Sequence, residues 1–280
     1  MWNFGYHLAR GRGAFIRSIY RRLSPLRIRQ EITNEIQLDL DVFTYSGEAA
    51  LAEQVASARS FLKHAGRPKS FTIVSDGSYS PQSIATLRQI DPILRVCHAR
   101  DFVPANVPAA LRDYLTQHAT GKQLALILSL PRQRPAFYFD SDVRFFAGAS
   151  CLDELLRSRP TAPALYLADC QFAGDERLLH RVEEKANPVN TGVLLLFRPI
   201  DWPVALERLC KLDATPSFFT NQTITHLAMH AAGAQPFDPG KFVLQLDDQF
   251  LFGDRYAGPH LALRHYVNPV RHKFWSSFPE

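Results

Sequence analysis

Ala136-Phe-Tyr-Phe-Asp-Ser-Asp-Val-Arg-Phe-Phe146 is an apolar run that carries two carboxylates, Asp140 and Asp142, separated by one serine. Its opening Ala-Phe-Tyr-Phe has the length and aromatic content of a buried strand, so the run is read as a strand with the acids near its carboxyl end. In an open α/β sheet that edge is where ligands bind. Acids spaced this way also occur in surface loops. A buried strand that delivers two of them, however, is costly without a partner ion. A hard divalent cation bridging a diphosphate meets the requirement, because it takes carboxylate and phosphate oxygens together.

Working outward, the chain before this run alternates. Leu38 to Tyr45 reads as a strand, Glu48 to His64 as a helix, Ser70 to Ser75 as a strand, Pro81 to Gln89 as a helix and Ile93 to His98 as a strand. Ser46-Gly47, Gly66-Arg67-Pro68, Asp76-Gly77-Ser78 and Asp91-Pro92 supply the turns between them. A helix from Lys122 to Leu130, closed by Pro131, leads into the acidic run. After it, Ala164 to Ala168 and Gly192 to Phe197 read as strands, and Val204 to Leu212 and Asn221 to Ala231 as helices. Leu261 to Trp275 is strand-like and then loop. Successive βα units imply parallel strands with crossover helices, in a single α/β domain over residues 37–280.

Composition agrees with a globular chain: 280 residues, 46% hydrophobic and 21% charged, bury enough surface to exclude disorder and coiled coil. The net charge of +5 is uneven, because residues 1 to 30 hold seven arginines and no acid. The remainder is slightly acidic, which argues against a nucleic-acid footprint on the folded part. Four cysteines without a CxxC or a zinc spacing read as reduced thiols of a cytoplasmic protein. No apolar stretch has the length of a membrane span, and arginines interrupt any signal-peptide core.

Residues 1–36 form a separate basic segment. As a helix from Gly13 to Leu23, it would place Phe15, Ile16, Ile19, Tyr20 and Leu23 on one face, with Arg17, Arg21 and Arg22 opposite or at the edges. Such a helix can lie on an anionic membrane at the inner face, with Trp2, Phe4 and Tyr6 as interfacial groups and about 1 kcal/mol from each nearby arginine. It can equally pack on its own domain with solvated arginines. An arginine-rich start without acids also fits a transit peptide.

Two further constellations carry chemistry. Asn187-Pro-Val-Asn-Thr-Gly-Val-Leu-Leu-Leu-Phe197 puts Asn190 and Thr191 before a buried strand, with Gly192 permitting close approach of a ligand; a strand-entry turn accounts for it as well. His265-Tyr-Val-Asn-Pro-Val-Arg-His-Lys-Phe-Trp275 offers a histidine for a metal, and Arg271 and Lys273 for phosphate. The histidines show no HExxH pairing, so a zinc hydrolase finds no support.

In this order the segments resemble the GT-A glycosyltransferases, specifically glycosyltransferase family 8, the glycogenin and bacterial galactosyltransferase group. That family shows YLDxDxxV, then FN(S/A)GV, then a helix opening with DQ, then HxxGxxKPW. Here stand Tyr138-Phe-Asp-Ser-Asp-Val143, Val189-Asn-Thr-Gly-Val193, Asn221-Gln222 and the His265 segment. The likeness spans roughly residues 40 to 275 and is strong at these four places. It implies a GT-A fold, Rossmann-like, with a mixed, mostly parallel central sheet. It implies that Asp140, Asp142 and His265 hold Mn2+ or Mg2+ on the diphosphate of a nucleotide sugar, usually a UDP-sugar, and that transfer to a glycan, lipid or protein acceptor retains the anomeric configuration.

By the same resemblance Asn190 and Gly192 lie beside the sugar and Gln222 near its anomeric carbon. Ser141, Lys122, Arg271 and Lys273 join the donor site, while Thr44, Tyr45, Gly47 and Asp76 frame the base and ribose. Asp248, in Asp247-Asp248-Gln249, is a candidate for the sugar hydroxyls or a base, or else part of a solvated turn. The chain departs from the family at Asn221, where Asp is usual, and at Asn268, where Gly is usual. Arg271 and Lys273 straddle the usual lysine. A non-catalytic nucleotide-sugar-binding or membrane-associated scaffold is the alternative reading. A phosphatase of the haloacid dehalogenase type, drafting Lys211 and Asp247-Asp248, ranks below both, because Val143-Arg144 stands where Gly-Thr would follow the acids.

Overall fold

The strand that carries the first acid lies in the middle of the protein. A computed structural model describes residues 3–105, 107–131, 133–158 and 161–279. Its strands are β1 (Gln37–Ser46), β2 (Arg67–Ser75), β3 (Leu94–His98), β4 (Ala136–Asp140), β5 (Val143–Phe145), β6 (Ala164–Ala168), β7 (Val189–Leu196), β8 (Gln235–Pro236), β9 (Phe242–Val243) and β10 (Leu263–His265). The helices are α1 (Phe4–Ile28), α2 (Leu51–His64), α3 (Pro81–Arg88), α4 (Ala109–Gln117), α5 (Ala119–Leu128), α6 (Cys151–Ser158), α7 (Pro203–Cys210) and α8 (Thr220–Ala231). Seven strands form one sheet in the order β3-β2-β1-β4-β7-β6-β8. Strands β1 to β4 run parallel, and β7 opposes both of its neighbours, β4 and β6. The sheet is therefore mixed and mostly parallel, as the resemblance implies; the alternation by itself predicts only the parallel strands.

Alternation along β4 builds two cores. Phe137 and Phe139 face α2, where Phe61 stacks on Phe139 at 5.5 Å and Phe145 meets Phe139 edge-on at 4.8 Å. Ala136 and Tyr138 face the other side, against Leu124 of α5 and Ile224 of α8. Aromatic rings at these spacings bury large apolar area and fix strand position through their edge and face preferences.

The acidic run is two strands instead of the one expected. β4 ends at Asp140, Ser141-Asp142 makes a turn, and β5 enters a second sheet of order β5-β10-β9. The backbone N–H of Tyr266 donates to the Asp142 carbonyl at 2.9 Å, which ties the turn to the end of β10. The turn places the Asp142 carboxylate beside that of Asp140, the last residue of β4.

β10 uses its two faces differently. Arg264 is fully buried and donates through Nη1 and Nη2 to the Asp248 carboxylate at 3.0 and 2.8 Å, and also to Asp254. The rings of Tyr256 and Tyr266 flank the guanidinium at 5.1 and 5.0 Å. A buried cation is tolerable only when paired and hydrogen-bonded, and this one is. The next residue, His265, points to the opposite face.

The N-terminal helix is longer than the predicted Gly13–Leu23, and its inward face differs. Ala9, Gly13, Tyr20 and Ile28 are buried, whereas Phe15 and Leu23 face outward. Gly13 is decisive: a Cβ there would come within 2.6 Å of the His272 carbonyl oxygen, so only glycine lets the helix approach. Arg17 clamps Glu53 of α2 at 2.5 and 2.8 Å, and Trp275 Nε1 donates to the same carboxylate at 2.9 Å. Trp2, grouped above with Phe4 and Tyr6, lies outside the described residues. The four cysteines are free thiols, and no described helix is long and apolar enough to cross a membrane.

Arg264→Met, which leaves the Asp254 carboxylate buried without its cation and Asp248 with only the Lys273 ammonium at 3.8 Å, should lower unfolding free energy by about 3 kcal/mol. Urea denaturation followed by circular dichroism measures it.

Candidate metal and ligand site

Asp140 leaves the carboxyl end of β4, Asp142 follows in the turn, and His265 closes β10, so three separate placements converge. One ligand atom from each lies within 4.8 Å of the others. His265 Nε2 stands 3.1 Å from Asp142 Oδ1 and 3.7 Å from Asp140 Oδ2. Arg271, on the 3-10 turn Arg271–Trp275, donates from Nη2 to Asp142 Oδ2 at 2.6 Å and leaves Oδ1 facing the histidine.

The tautomer of His265 follows from its neighbours. The backbone N–H of Gly192 donates to Asn190 Oδ1 at 2.9 Å, which fixes the Asn190 amide with its oxygen inward. That same oxygen lies 2.9 Å from His265 Nδ1, so Nδ1 carries a proton and Nε2 is the ring nitrogen that faces the two acids. A ligand histidine held through its far nitrogen is the usual support of a metal site. Gly192 is required as well: a Cβ there would sit 2.1 Å from His265 Cε1 and 2.8 Å from Asp140 Oδ2.

Charge is balanced across this cluster. Burial drives the Asp140 carboxyl upward, and the facing His265 offsets only part of the rise. Burial also works against Asp142, but His265 and Arg271 override it and hold its carboxyl down at about 2. Burial lowers His265, and the Asp142 carboxylate more than reverses that. Two oxygens and one imidazole nitrogen are a donor set that suits Mn2+ or Mg2+ better than a thiolate-seeking ion.

The acids separate two lobes of one cleft. The larger, about 550 Å3, is lined by Tyr45, Ala49, Glu53, Ser141 and Trp275, with Arg10 and Arg17 of α1 on its far wall. The smaller, about 290 Å3, is lined by Asp169, Asn190, Thr191, Gly192, Gln222 and His265. Asp140, Asp142, Gln123, Thr120, Phe218 and Arg271 border both. The Tyr45 hydroxyl is buried in the larger lobe without a hydrogen-bond partner, an atom that a bound ligand would satisfy.

Other residues singled out from the sequence stand elsewhere. Gly47 packs directly on the Asp76 carboxylate, where a Cβ would meet it at 2.2 Å, and Asp76 receives Ser78 N–H at 2.8 Å. Lys122 donates to the Asp76 carbonyl at 2.9 Å, and Thr44 is fully buried behind the cleft. This group braces the end of β1 and lines neither lobe. Asp248 is not at the cleft, because Arg264 holds it inside the protein. Lys273 does not face phosphate either: its buried ammonium donates to the carbonyls of Leu251 and Gly253 at 2.8 and 2.5 Å. Lys211 pairs with Glu207 on the surface and Asp247 with Arg255, so the set a phosphatase would need is not assembled.

Two site residues carry no local sequence signal. Gln123 Nε2 donates to Asp140 Oδ1 at 2.9 Å and to the Tyr138 hydroxyl at 2.8 Å, while its Oε1 accepts from Asn221 at 2.8 Å. Asp169 accepts from both Asn190 and Gln222, at 2.9 and 3.2 Å. Gln123 follows Lys122 by one helical residue, and Asp169 follows the end of β6. Helical phase and the shared carboxyl edge of the sheet are the signals that could have pointed to them.

No protein-family model and no curated protein matches the sequence. Solved structures do match. The galactosyltransferase LgtC, solved with donor and acceptor sugar analogues, superposes with a TM-score of 0.54 at 16% identity, over 82% of this chain and 87% of its own. Mouse xyloside xylosyltransferase 1 gives 0.55 at 15% identity, over 84% and 99%. The glycosyltransferase GlyE of Streptococcus pneumoniae gives 0.52 at 13% identity, over 85% and 60%. The fold is that of the GT-A glycosyltransferases. On that fold, an Asp-Asp-His group lies at the carboxyl edge of the sheet.

Gly192→Ala should push His265 away from Asp140 and Asp142 and weaken Mn2+ binding by about tenfold or more, as disrupted ligand support does in other metal sites. Titration calorimetry with Mn2+ alone, beside a thermal melt that shows the fold retained, checks it.

Proposed function

We propose that the protein is a metal-dependent glycosyltransferase that moves a sugar from a nucleotide diphosphate sugar, with UDP as the nucleotide, to an acceptor hydroxyl with retention of configuration. The observation that carries this reading is the Asp140, Asp142 and His265 triad set between two lobes on a GT-A fold. The larger lobe, with the unpaired Tyr45 hydroxyl, suits the nucleoside; the smaller, with its carboxamides, suits the sugar.

A cation held by Asp140, Asp142 and His265 would neutralise the diphosphate as it departs. The protein's own groups do the rest. Arg271 adds fixed positive charge beside Asp142. Asp169 holds the Asn190 and Gln222 amides in place, so that they present polar atoms to a sugar at fixed positions. The bond from the anomeric carbon to the diphosphate breaks, the acceptor oxygen bonds to that carbon, and the acceptor proton leaves with the diphosphate.

Purified protein should bind UDP in the presence of Mn2+ and lose that binding on chelation, and Asp142→Ala should abolish it while the melting profile stays close to that of the parent. UDP release from a panel of UDP-sugars, with the anomeric configuration of the product read by proton NMR, tests transfer and retention. Metal-dependent binding without any turnover would instead favour the scaffold reading. Absence of binding would remove the donor site altogether. Contact of residues 1–30 with an anionic membrane is a separate proposal, which stands or falls independently of the donor site.

A further inference from the structure

α1 has two apolar faces, and only one is used by the fold. Ala9, Gly13 and Tyr20 seat it on the protein, against His272 and Trp275. Phe4, Leu8, Phe15 and Leu26 occupy the opposite side, within about 40° of one another at 3.6 residues per turn. They are 49% to 74% exposed. A second exposed apolar segment packs against the N-terminal half of α1. Phe250, Leu251 and Phe252 are each about half exposed, Phe250 meets Tyr6 edge-on at 5.6 Å, and the Arg12 guanidinium lies over the Phe252 ring at 5.2 Å.

The charge around the patch has one sign. Arg12, Arg22 and Arg29 are exposed on or beside the outer side of the same helix and just beyond it, and residues 1 to 30 contain no acid. The acids nearest Phe250–Phe252 are engaged elsewhere: Asp247 with Arg255 and the Tyr256 hydroxyl, Asp248 and Asp254 with Arg264. An apolar patch of this kind, drawn from two separate segments, marks an interaction surface. A second copy of the chain would bring arginines against arginines. A bilayer surface that carries acidic headgroups accepts both the rings and the cations, because phenylalanine and leucine enter the boundary while arginine heads stay with the phosphates.

We infer that the outer face of α1, together with Phe250–Phe252, is a docking surface for an anionic lipid bilayer. It shares Phe4 and Phe15 with the face expected from the sequence but departs from it at Ile16 and Tyr20, which turn inward. The inference does not depend on the glycosyl-transfer reading.

Flotation of the full chain with phosphatidylcholine vesicles, with and without phosphatidylglycerol, tests it. The chain should float with the acidic vesicles only, and added salt should reduce the bound fraction. The pair Leu8→Ser and Phe15→Ser, and separately the pair Phe250→Ser and Phe252→Ser, should each lower binding by about tenfold. The pair Arg12→Glu and Arg22→Glu should do the same without altering the apolar surface, which guards against misfolding as the cause. Absence of flotation, or flotation that these changes leave intact, overturns the inference. So does light scattering that shows a dimer dissolved by the serine changes while vesicles stay unbound, which would assign the face to a second copy.

Discussion

Two carboxylates placed side by side at a sheet edge are the constraint around which this site is arranged. Asp140 and Asp142 repel one another, and burial of Asp142 sharpens the repulsion. Positive charge must meet them from elsewhere in the chain. It comes from β10 as His265 and from the following 3-10 turn as Arg271, more than 120 residues downstream. Bringing β10 that close requires a position without a side chain, which Gly192 supplies. Holding the imidazole in one tautomer requires an acceptor with one orientation, which Asn190 supplies because the Gly192 N–H fixes its amide.

The central sheet was legible because its strands are short apolar runs, bounded by turn residues and alternating with helical stretches. β4 could be found for a stronger reason, since an aromatic strand ending in acids has few inexpensive explanations. The division of that run between two sheets was not legible. Val143-Arg-Phe145 has the same strand character as Ala136–Phe139, and only the pairing of β5 with β10 shows where the chain turns. His265 could be singled out because its segment follows the other motifs in order. Its neighbour Arg264 looked unremarkable, although its buried pairing with Asp248 anchors the strand.

Side-chain direction was the main thing local pattern could not give. Arg271 and Lys273 look interchangeable as phosphate ligands, but on a 3-10 turn of three residues per turn they point in different directions. One reaches Asp142, and the other enters the interior beside Asp248. Adjacent Asp247 and Asp248 divide in the same way, between surface and core. Helix α1 shows the difficulty at larger scale: both of its faces are apolar, so periodicity cannot choose between them. The close approach at Gly13 decides, and that contact involves a residue 259 positions away.

The same turn explains why the N-terminal helix cannot be regarded as a tail. Arg271 holds Asp142, His272 carries the backbone on which Gly13 rests, Lys273 joins the buried ion cluster, and Trp275 meets both Tyr20 and Glu53. Four residues of one five-residue turn thus bind the cleft, the helix and the core to one another. Packed interiors transmit displacement because they contain little free volume. Contacts already in place thus link α1 to the turn that carries Arg271. The helix that offers an apolar, arginine-lined face to its surroundings is the one whose other flank, through Arg10 and Arg17, walls the larger lobe of the cleft.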